Sequence, residues 1–115
     1  DLLILDGIPR NLHQAQMTSE YLDVLHVVHL VCRDEQAMVD RIKRRAIHDN
    51  RADDANESVI RRRYVVYNEE SAPVLGFYPP ENVSLIESLR SPAEVCRDIL
   101  NCLIPVVKKH FTENE

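Results

Sequence analysis

Apolar and polar positions fall along this chain in blocks that predict short strands separated by helices. Residues 2–5 (LLIL) and 26–31 (HVVHLV) are nearly unbroken apolar runs, which are typical of strands buried on both faces. Residues 83–86 predict a third short strand. Because helical patterns separate these runs, we expect an α/β fold in which helices flank a parallel sheet.

Caps and apolar spacing predict four helices. Polar capping residues precede three of them: Asn11 before residues 12–21, Asp34 before residues 35–45, and Ser91 with Pro92 before a helix that reaches about residue 110. Residues 54–57 have the form of a capping box and open the remaining helix. That helix would turn Ile60, Tyr64 and Tyr67 inward at i, i+4 and i+7.

Prolines and one polar stretch predict the breaks between these elements. Residues 46–52 are polar and predict a loop. Pro73 and the pair Pro79–Pro80 are expected to confine the segment between them to one or two helical turns. Pro105 is expected to kink or break the last helix. The chain would then be a single unit, residues 1–115, with a short polar loop at about residues 46–52.

Length and charge exclude several classes of protein. The 115 residues suffice for one domain with a modest core. No apolar run is long enough to cross a bilayer, so we expect no membrane partner. The formal net charge is -5 and there is no basic tail, which argues against nonspecific binding to nucleic acid.

The cysteines give no metal-binding pattern. Cys32, Cys96 and Cys102 form no C-x-x-C pair and have no His at ligand spacing, so buried free thiols are a better interpretation than metal ligands. Free thiols suit a reducing compartment, and we therefore expect a cytoplasmic location.

The start of the chain and its glycine content indicate part of a longer protein. The sequence begins at Asp1 and enters an apolar run at once, without Met. Its two glycines, Gly7 and Gly76, leave no place within these residues for a Gly-rich phosphate loop.

Basic residues are concentrated in residues 41–63 although the chain as a whole is acidic. Eight of the fourteen Lys and Arg lie there. Arg41 and Arg45 share a helix face, where like charges repel unless an anion lies between them. Arginine presents a planar fork that suits phosphate oxygens. The stretch predicts a site for a phosphate-rich ligand, and a solvated basic helix face is the alternative.

A second motif is expected near the same place. In α/β sheets ligands bind beyond the carboxyl ends of the strands, and the first predicted strand delivers residues 6–10 (DGIPR) to that edge. By itself this motif is also compatible with an ordinary strand-to-turn connection, since Gly and Pro are usual there.

Taken together, these segments resemble adenylate kinases and related nucleoside monophosphate kinases. The matching segments cover nearly the whole chain: LLILDGIPRNLHQAQ resembles LLDGFPRT..QA, RIKRR resembles the helix that enters the lid, RADDANESVIRRRYVVYNEESAPVLGFY is similar to R.DD.E....R...Y...T.P...YY, and SLIESLRSPAEV is similar to the last strand and turn. The resemblance is to the C-terminal part of the family. It implies a partial P-loop-kinase-type sheet whose first strand and phosphate loop lie upstream of Asp1.

The resemblance implies roles for the first motif in binding a monophosphate. Arg10 would hold its phosphate and Gln14 would bond the edge of its adenine. Asp6 would orient waters on a Mg²⁺ ion that arrives with ATP, and Gly7 belongs to the same nucleotide-binding turn. Gln14 followed by Ala15 favours AMP as the acceptor.

The resemblance also implies roles for the later arginines. Arg41 would stack on the adenine of ATP, and Arg90 would lie in the turn beside that base. Arg45, Arg51 and Arg62, together with Arg10, would be the catalytic residues that surround the transferred phosphoryl group.

The resemblance further implies that Asp53 and Asp54 help to close a short lid. Without the resemblance, the same pair can be explained as a helix cap. The lid contains no cysteine, so the zinc-binding lid of some relatives is not expected.

The function implied is transfer of a phosphoryl group from ATP to AMP, giving two ADP. We expect this segment to be inactive without the phosphate loop, and we expect the missing N-terminal half, or another chain, to cover the open sheet edge. A noncatalytic module that binds a nucleotide or a protein remains an alternative. So does a UMP/CMP kinase, since Asn11 occupies a position where those enzymes also carry Asn.

Overall fold

The structure is a computed structural model that describes residues 2–51 and 55–113. Within these residues the fold consists of two short strands and four helices. The elements follow one another as α1 (Leu12–Tyr21), β1 (Val27–Val31), α2 (Glu35–His48), α3 (Glu57–Phe77), a 3-10 turn (Pro80–Asn82), β2 (Val83–Glu87) and α4 (Pro92–Glu113). The predicted α/β class is confirmed.

The sheet consists of β1 and β2 in parallel, with Val27 opposite Val83 and Val31 opposite Glu87. The backbone N–H of Ser88 donates to the carbonyl of Val31, which carries the pairing one residue beyond β2. Parallel neighbours need a crossover connection, and α2 and α3 supply it here. The two strands therefore end at the same edge, close to where α2 begins.

The predicted strand at residues 2–5 is wrong for this structure. These residues have no regular secondary structure, and their side chains are exposed, from 45% at Leu2 to 81% at Ile4. A strand needs hydrogen-bonding partners, and among the described residues β1 and β2 pair only with each other. The apolar run pairs with neither of these strands.

The prolines inside the helices do not end them. The expected break at Pro73 is wrong, because α3 continues through it to Phe77. Likewise α4 runs without a break through Pro105 to Glu113. An interior proline costs about 3 kcal/mol; in α3 Val74, directly after Pro73, and Tyr78, at the end of the helix, are both buried in the core. Among the described helices, none has both the length and the hydropathy that crossing a bilayer requires.

Side-chain caps start the helices, mostly as predicted. Asn11 and Asp34 each accept a hydrogen bond from the backbone three residues on, as does Ser91 from Glu94. The third helix differs, since its cap is Asn56, which accepts from the N–H groups of Ser58 and Val59.

Helix α2 extends one turn further than predicted and ends at His48. Buried Ala46 anchors that turn, and the Asp49 N–H donates to the carbonyl of Arg45. The cysteines are free, but Cys96 is exposed and the other two are half-buried, so the expectation of buried thiols is wrong.

The buried core is small and lies where α1 and α3 meet the start of the sheet. Ala15, Val74 and Tyr78 form its centre, and Val27 and Val83 pack against them. Ala15 has no exposed surface because α1 lies directly on α3 at this point. A small residue is therefore required there.

We expect Ala15→Leu to lower the free energy of unfolding by about 1–3 kcal/mol, because added methylenes in a packed contact force neighbours apart. The matched control is Gln16→Leu, at an exposed position of the same helix. This variant should change the free energy of unfolding by no more than about 0.5 kcal/mol. Denaturant unfolding followed by circular dichroism measures both. Equal effects of the two variants would contradict the assigned α1–α3 contact.

Candidate functional site

The basic stretch folds into an antiparallel pair of helices, α2 and α3, which we call the arginine hairpin (residues 35–77). Glu35 at the start of α2 contacts Arg61 of α3, whereas Lys43, two turns later, contacts Glu57 at the start of α3. Earlier residues of one helix thus pair with later residues of the other. The connection between the helices spans residues 49–56, and all eight basic residues of the stretch belong to this hairpin.

Asp49 gathers two of the predicted catalytic arginines at the end of α2. The Arg51 Nη2 lies 2.9 Å from the Asp49 Oδ2, and the Arg45 Nε lies 4.0 Å from the same oxygen. His48 contacts the other carboxylate oxygen at 3.3 Å. The hydrogen bond from Arg51 is the main cause that lowers the pKa of Asp49 below its usual value, with His48 next. This carboxylate was not identified from the sequence, although its i+4 spacing from Arg45 was available as a signal.

Arg62, the third arginine predicted on this hairpin, is exposed and contacts no acceptor in the described part of the chain. Its neighbour Arg61 is in the opposite situation, since its guanidinium contacts Glu35, Gln36 and Glu57. Of two adjacent arginines, one is held by carboxylates and one is open to a ligand.

Arg41 and Arg90 lie at the turn that follows β2. The Arg41 Nη1 donates to the backbone carbonyl of Ser88, and Arg90 pairs with Asp98 of α4 at 3.3 Å. The two residues that the resemblance associates with the ATP base are thus brought to the same short turn, although they do not contact each other directly. The Arg41 bond also fixes the middle of α2 to the end of the sheet.

The first motif forms a closed turn before α1, which we call the Gly7 turn (residues 6–10). Gly7 has φ +81°, a conformation that side-chain-bearing residues seldom adopt. The Arg10 Nε donates to the Gly7 carbonyl at 2.9 Å, and the Arg10 backbone N–H donates to the Gln14 Oε1 at 2.7 Å. Asp6 is exposed at the start of this turn. Gln14 therefore closes the turn with its oxygen, while its amide nitrogen makes no hydrogen bond within the described residues.

An open, mostly apolar groove of about 330 Å³ lies beside the Gly7 turn. It is lined by Leu5, Ile8, Gln14, Met17, Thr18, Tyr21 and Leu22. Ligand pockets of this size combine apolar walls with a few polar groups that fix orientation. Gln14 and Thr18 are the polar side chains of this wall.

Most of the predicted residues lie in three places, whereas Arg62 lies on α3 and makes no hydrogen bond or ion pair with any of them among the described residues. The Asp49 cluster holds Arg45 and Arg51, the turn after β2 holds Arg41 and Arg90, and the Gly7 turn holds Arg10 with Gln14. No hydrogen bond or ion pair among the described residues joins Arg10 to the arginine hairpin. Asp53 and Asp54, predicted for the lid, lie outside the described residues.

Comparison with known proteins matches the chain to several curated adenylate kinases. It is 46% identical to the one from Thermobifida fusca over 90 residues, which are 75% of this chain and 46% of that protein. It is 39% identical to the one from Leptospira biflexa over 106 residues, or 87% of this chain and 56% of the relative. The adenylate kinase from Thermus thermophilus is 40% identical over 99 residues, or 81% of this chain and 52% of the relative.

The chain thus spans about half the length of the curated relatives it matches. No protein-family profile and no solved structure matches it.

We expect Arg51→Gln to raise the pKa of Asp49 toward its ordinary value, because the largest cause of its lowering is removed. Arg44→Gln is the matched control: it removes one positive charge from the last turns of α2, before Asp49, at a side chain that contacts no carboxylate among the described residues. Carboxyl ¹³C NMR titration measures both. If the two variants shift the Asp49 pKa equally, the direct Arg51 contact is not its cause.

Proposed function

The chain belongs to the adenylate kinase family, and from that premise we propose that it supplies the Gly7 turn and the arginine hairpin of an enzyme that transfers a phosphoryl group from ATP to AMP. The observation that carries this proposal is the pairing of Arg45 and Arg51 around Asp49, with Arg62 open on the neighbouring helix. Three arginines on one short hairpin are an apt set of donors for a phosphoryl group.

Phosphoryl transfer demands charge stabilisation and positioning more than acid–base chemistry, because charge spreads over the phosphoryl oxygens as the bond to the leaving group breaks. In the proposed enzyme Arg45, Arg51 and Arg62 hold those oxygens. Arginine keeps its charge throughout, so no proton has to move to any of these residues. In the absence of a nucleotide Asp49 is the anion that Arg45 and Arg51 face.

The acceptor would bind at the Gly7 turn and the adjoining groove. Arg10 would leave the Gly7 carbonyl for the acceptor phosphate, which offers it a charged partner in place of a neutral one. The Gln14 amide nitrogen would donate to the base within the apolar groove. The Gln14 oxygen holds the Arg10 backbone, so one side chain would couple base recognition to phosphate binding.

On the ATP side, Arg41 and Arg90 would flank the base at the turn after β2. Mg²⁺ would arrive with ATP and neutralise part of the phosphate charge. Asp6 fits a role beside it, since its exposed carboxylate forms no side-chain bond within the described residues and carboxylate oxygens suit Mg²⁺ and its waters. Asp53 and Asp54 remain proposed lid residues.

The proposed reaction also needs parts that these residues do not contain. The sequence has no G-x-x-x-x-G-K-[ST] motif, the usual cradle of backbone N–H groups and Lys for a triphosphate. We propose that the 115 residues alone are inactive and that a phosphate-loop half, on the same chain or on another, completes the enzyme. The exposed residues 2–5 and the unpaired edge of β1 are the surfaces that such a half would cover.

Two alternative functions remain. A noncatalytic module that binds a nucleotide or a protein is favoured by the missing phosphate-loop motif. A UMP/CMP kinase shares the overall chemistry and differs in its acceptor. The three functions can be separated by combining the chain with the phosphate-loop half of a relative and comparing AMP, CMP and UMP as acceptors. Turnover of AMP would support the main proposal, and a preference for CMP or UMP would support a UMP/CMP kinase. Nucleotide binding without turnover would support the noncatalytic module.

We expect Gln14→Ala to reduce AMP turnover in that combined enzyme more than turnover of CMP or UMP. Gln14→Glu is the sharper variant, because a Glu oxygen can still accept from the Arg10 N–H while the amide donor is lost. Steady-state kinetics with each acceptor measures both. If the two variants leave AMP turnover unchanged, Gln14 does not bind the base.

We expect light scattering on the chain after expression and purification to detect either self-association or a co-purifying polypeptide, because an open sheet edge beside exposed apolar residues attracts a partner. A well-folded monomer of 13.3 kDa with no bound peptide would contradict the need for a covering partner.

A further inference from the structure

Arg61 links the two helices of the arginine hairpin through its whole guanidinium fork. Its Nη1 lies 3.0 Å from the Glu35 Oε1, at the start of α2. Its Nε and Nη2 donate to the Glu57 Oε1 at 3.1 and 2.8 Å, one turn back on α3. The Nη2 also reaches the Gln36 Oε1. One side chain thus contacts three acceptors on two helices.

A second cation extends this contact toward the connection between the helices. The Lys43 Nζ lies 2.9 Å from the Glu57 Oε2, the carboxylate oxygen that Arg61 leaves free. Glu57 is therefore held from both helices. Its pKa is lowered, first by the hydrogen bond from Lys43 and next by that from Arg61.

These bonds fix the rotation of α3 about its own axis. Successive residues of a helix are about 100° apart, so an Arg61 held against α2 determines the direction of Arg62. Ile60, on the other side of Arg61, is buried, which restrains the same rotation from the core. The direction of the exposed Arg62 guanidinium is therefore set by the Arg61 contacts and by the burial of Ile60.

We propose that Arg61 is a positioning residue, which, through Glu35 and Glu57, holds α3 at the rotation that presents Arg62 to the same phosphoryl group as Arg45 and Arg51. This inference rests on the proposed function. Arg61 itself does not touch the nucleotide, because its donors are already used by protein acceptors. A displacement of about 1 Å can reduce a reaction about 100-fold, so a modest rotation matters.

The contacts of Arg61 are at the surface, and this separates positioning from stability. The Arg61 side chain is 36% exposed and that of Glu35 is 47% exposed. Ion pairs at such exposure contribute little to unfolding free energy and are screened by salt. A variant that loosens them should therefore alter ligand binding far more than the melting temperature.

The decisive variant is Glu35→Gln, tested by calorimetric titration of the whole 115-residue chain with inorganic tripolyphosphate. This change removes a negative charge and leaves every arginine in place, so simple electrostatics predicts tighter binding of the anion. The positioning role predicts the reverse, with binding weakened about tenfold, or about 1.4 kcal/mol. Glu69→Gln is the matched control: it removes the same charge from an exposed side chain of α3 that bonds to nothing among the described residues, and it should not weaken binding.

Variants of the arginines give a second, independent comparison. Arg61→Gln and Arg63→Gln each remove one charge from the same turn of α3, but Arg63 contacts no carboxylate among the described residues. We expect Arg61→Gln to weaken tripolyphosphate binding more than Arg63→Gln, with Arg61→Lys between them. Thermal unfolding confirms that each variant is folded.

The possible outcomes distinguish this inference from the proposed function. If the unmodified chain binds tripolyphosphate and Glu35→Gln binds it equally or more tightly, the positioning role is wrong and the proposed function stands. An unmodified chain that does not bind tripolyphosphate overturns the proposed anion site and this inference with it. Weakening by Glu35→Gln but not by Glu69→Gln supports both.

Discussion

Arginine cannot give up its charge at any accessible pH, and the arrangement of the hairpin follows from that constraint. Each guanidinium needs an acceptor or water. Arg61 donates to Glu57 on its own helix and to acceptors on α2, and Arg41 donates to a backbone carbonyl. Arg45 and Arg51 share the Asp49 carboxylate at the end of α2. Arg62, like Arg44 and Arg63, makes no hydrogen bond or ion pair within the described residues. The same residue type therefore serves as a link between helices at one position and as an open donor at the next.

The sheet imposes a second constraint, since two paired strands offer little surface for a core. A two-stranded unit is marginal in water without further packing. Here the fully buried side chains are few and mostly small, whereas residues 2–5 and several side chains of α1 and α4 are exposed although apolar. We expect this distribution when further polypeptide packs on the exposed apolar side chains. It accords with the chain spanning about half the length of its relatives.

Sequence patterns predicted the helix caps and the two strands well, because these structures depend mainly on residues that are close together in the chain. Caps such as Asn11 and the β-branched runs of β1 and β2 depend on near neighbours, and these elements formed as expected. Residues 2–5 failed because a strand is defined by a partner, which no local pattern supplies. The break expected at Pro73 did not form, and Val74 and Tyr78, which follow that proline, pack into the buried core. Arg45 and Arg51 were predicted as site residues from a sequence motif. Their contact with Asp49, and the contacts of Arg61 with both helices, depend on how α2 and α3 are rotated relative to each other, which residue spacing alone does not determine.

The remaining step concerns how a charged site can exist before its ligand arrives. Three of the arginines assigned to the proposed reaction are now bonded within the protein: Arg10 to the Gly7 carbonyl, Arg41 to the Ser88 carbonyl, and Arg51 to the Asp49 carboxylate. These bonds lie at the surface, so breaking them costs little, because water can replace the lost acceptor. A phosphate offers Arg10 a charge-assisted bond in place of a neutral carbonyl, and it offers Arg51 one anion in place of another. The exchange leaves no buried cation unpaired at any stage, which allows a hairpin this basic to fold in an acidic chain and still bind a polyanion.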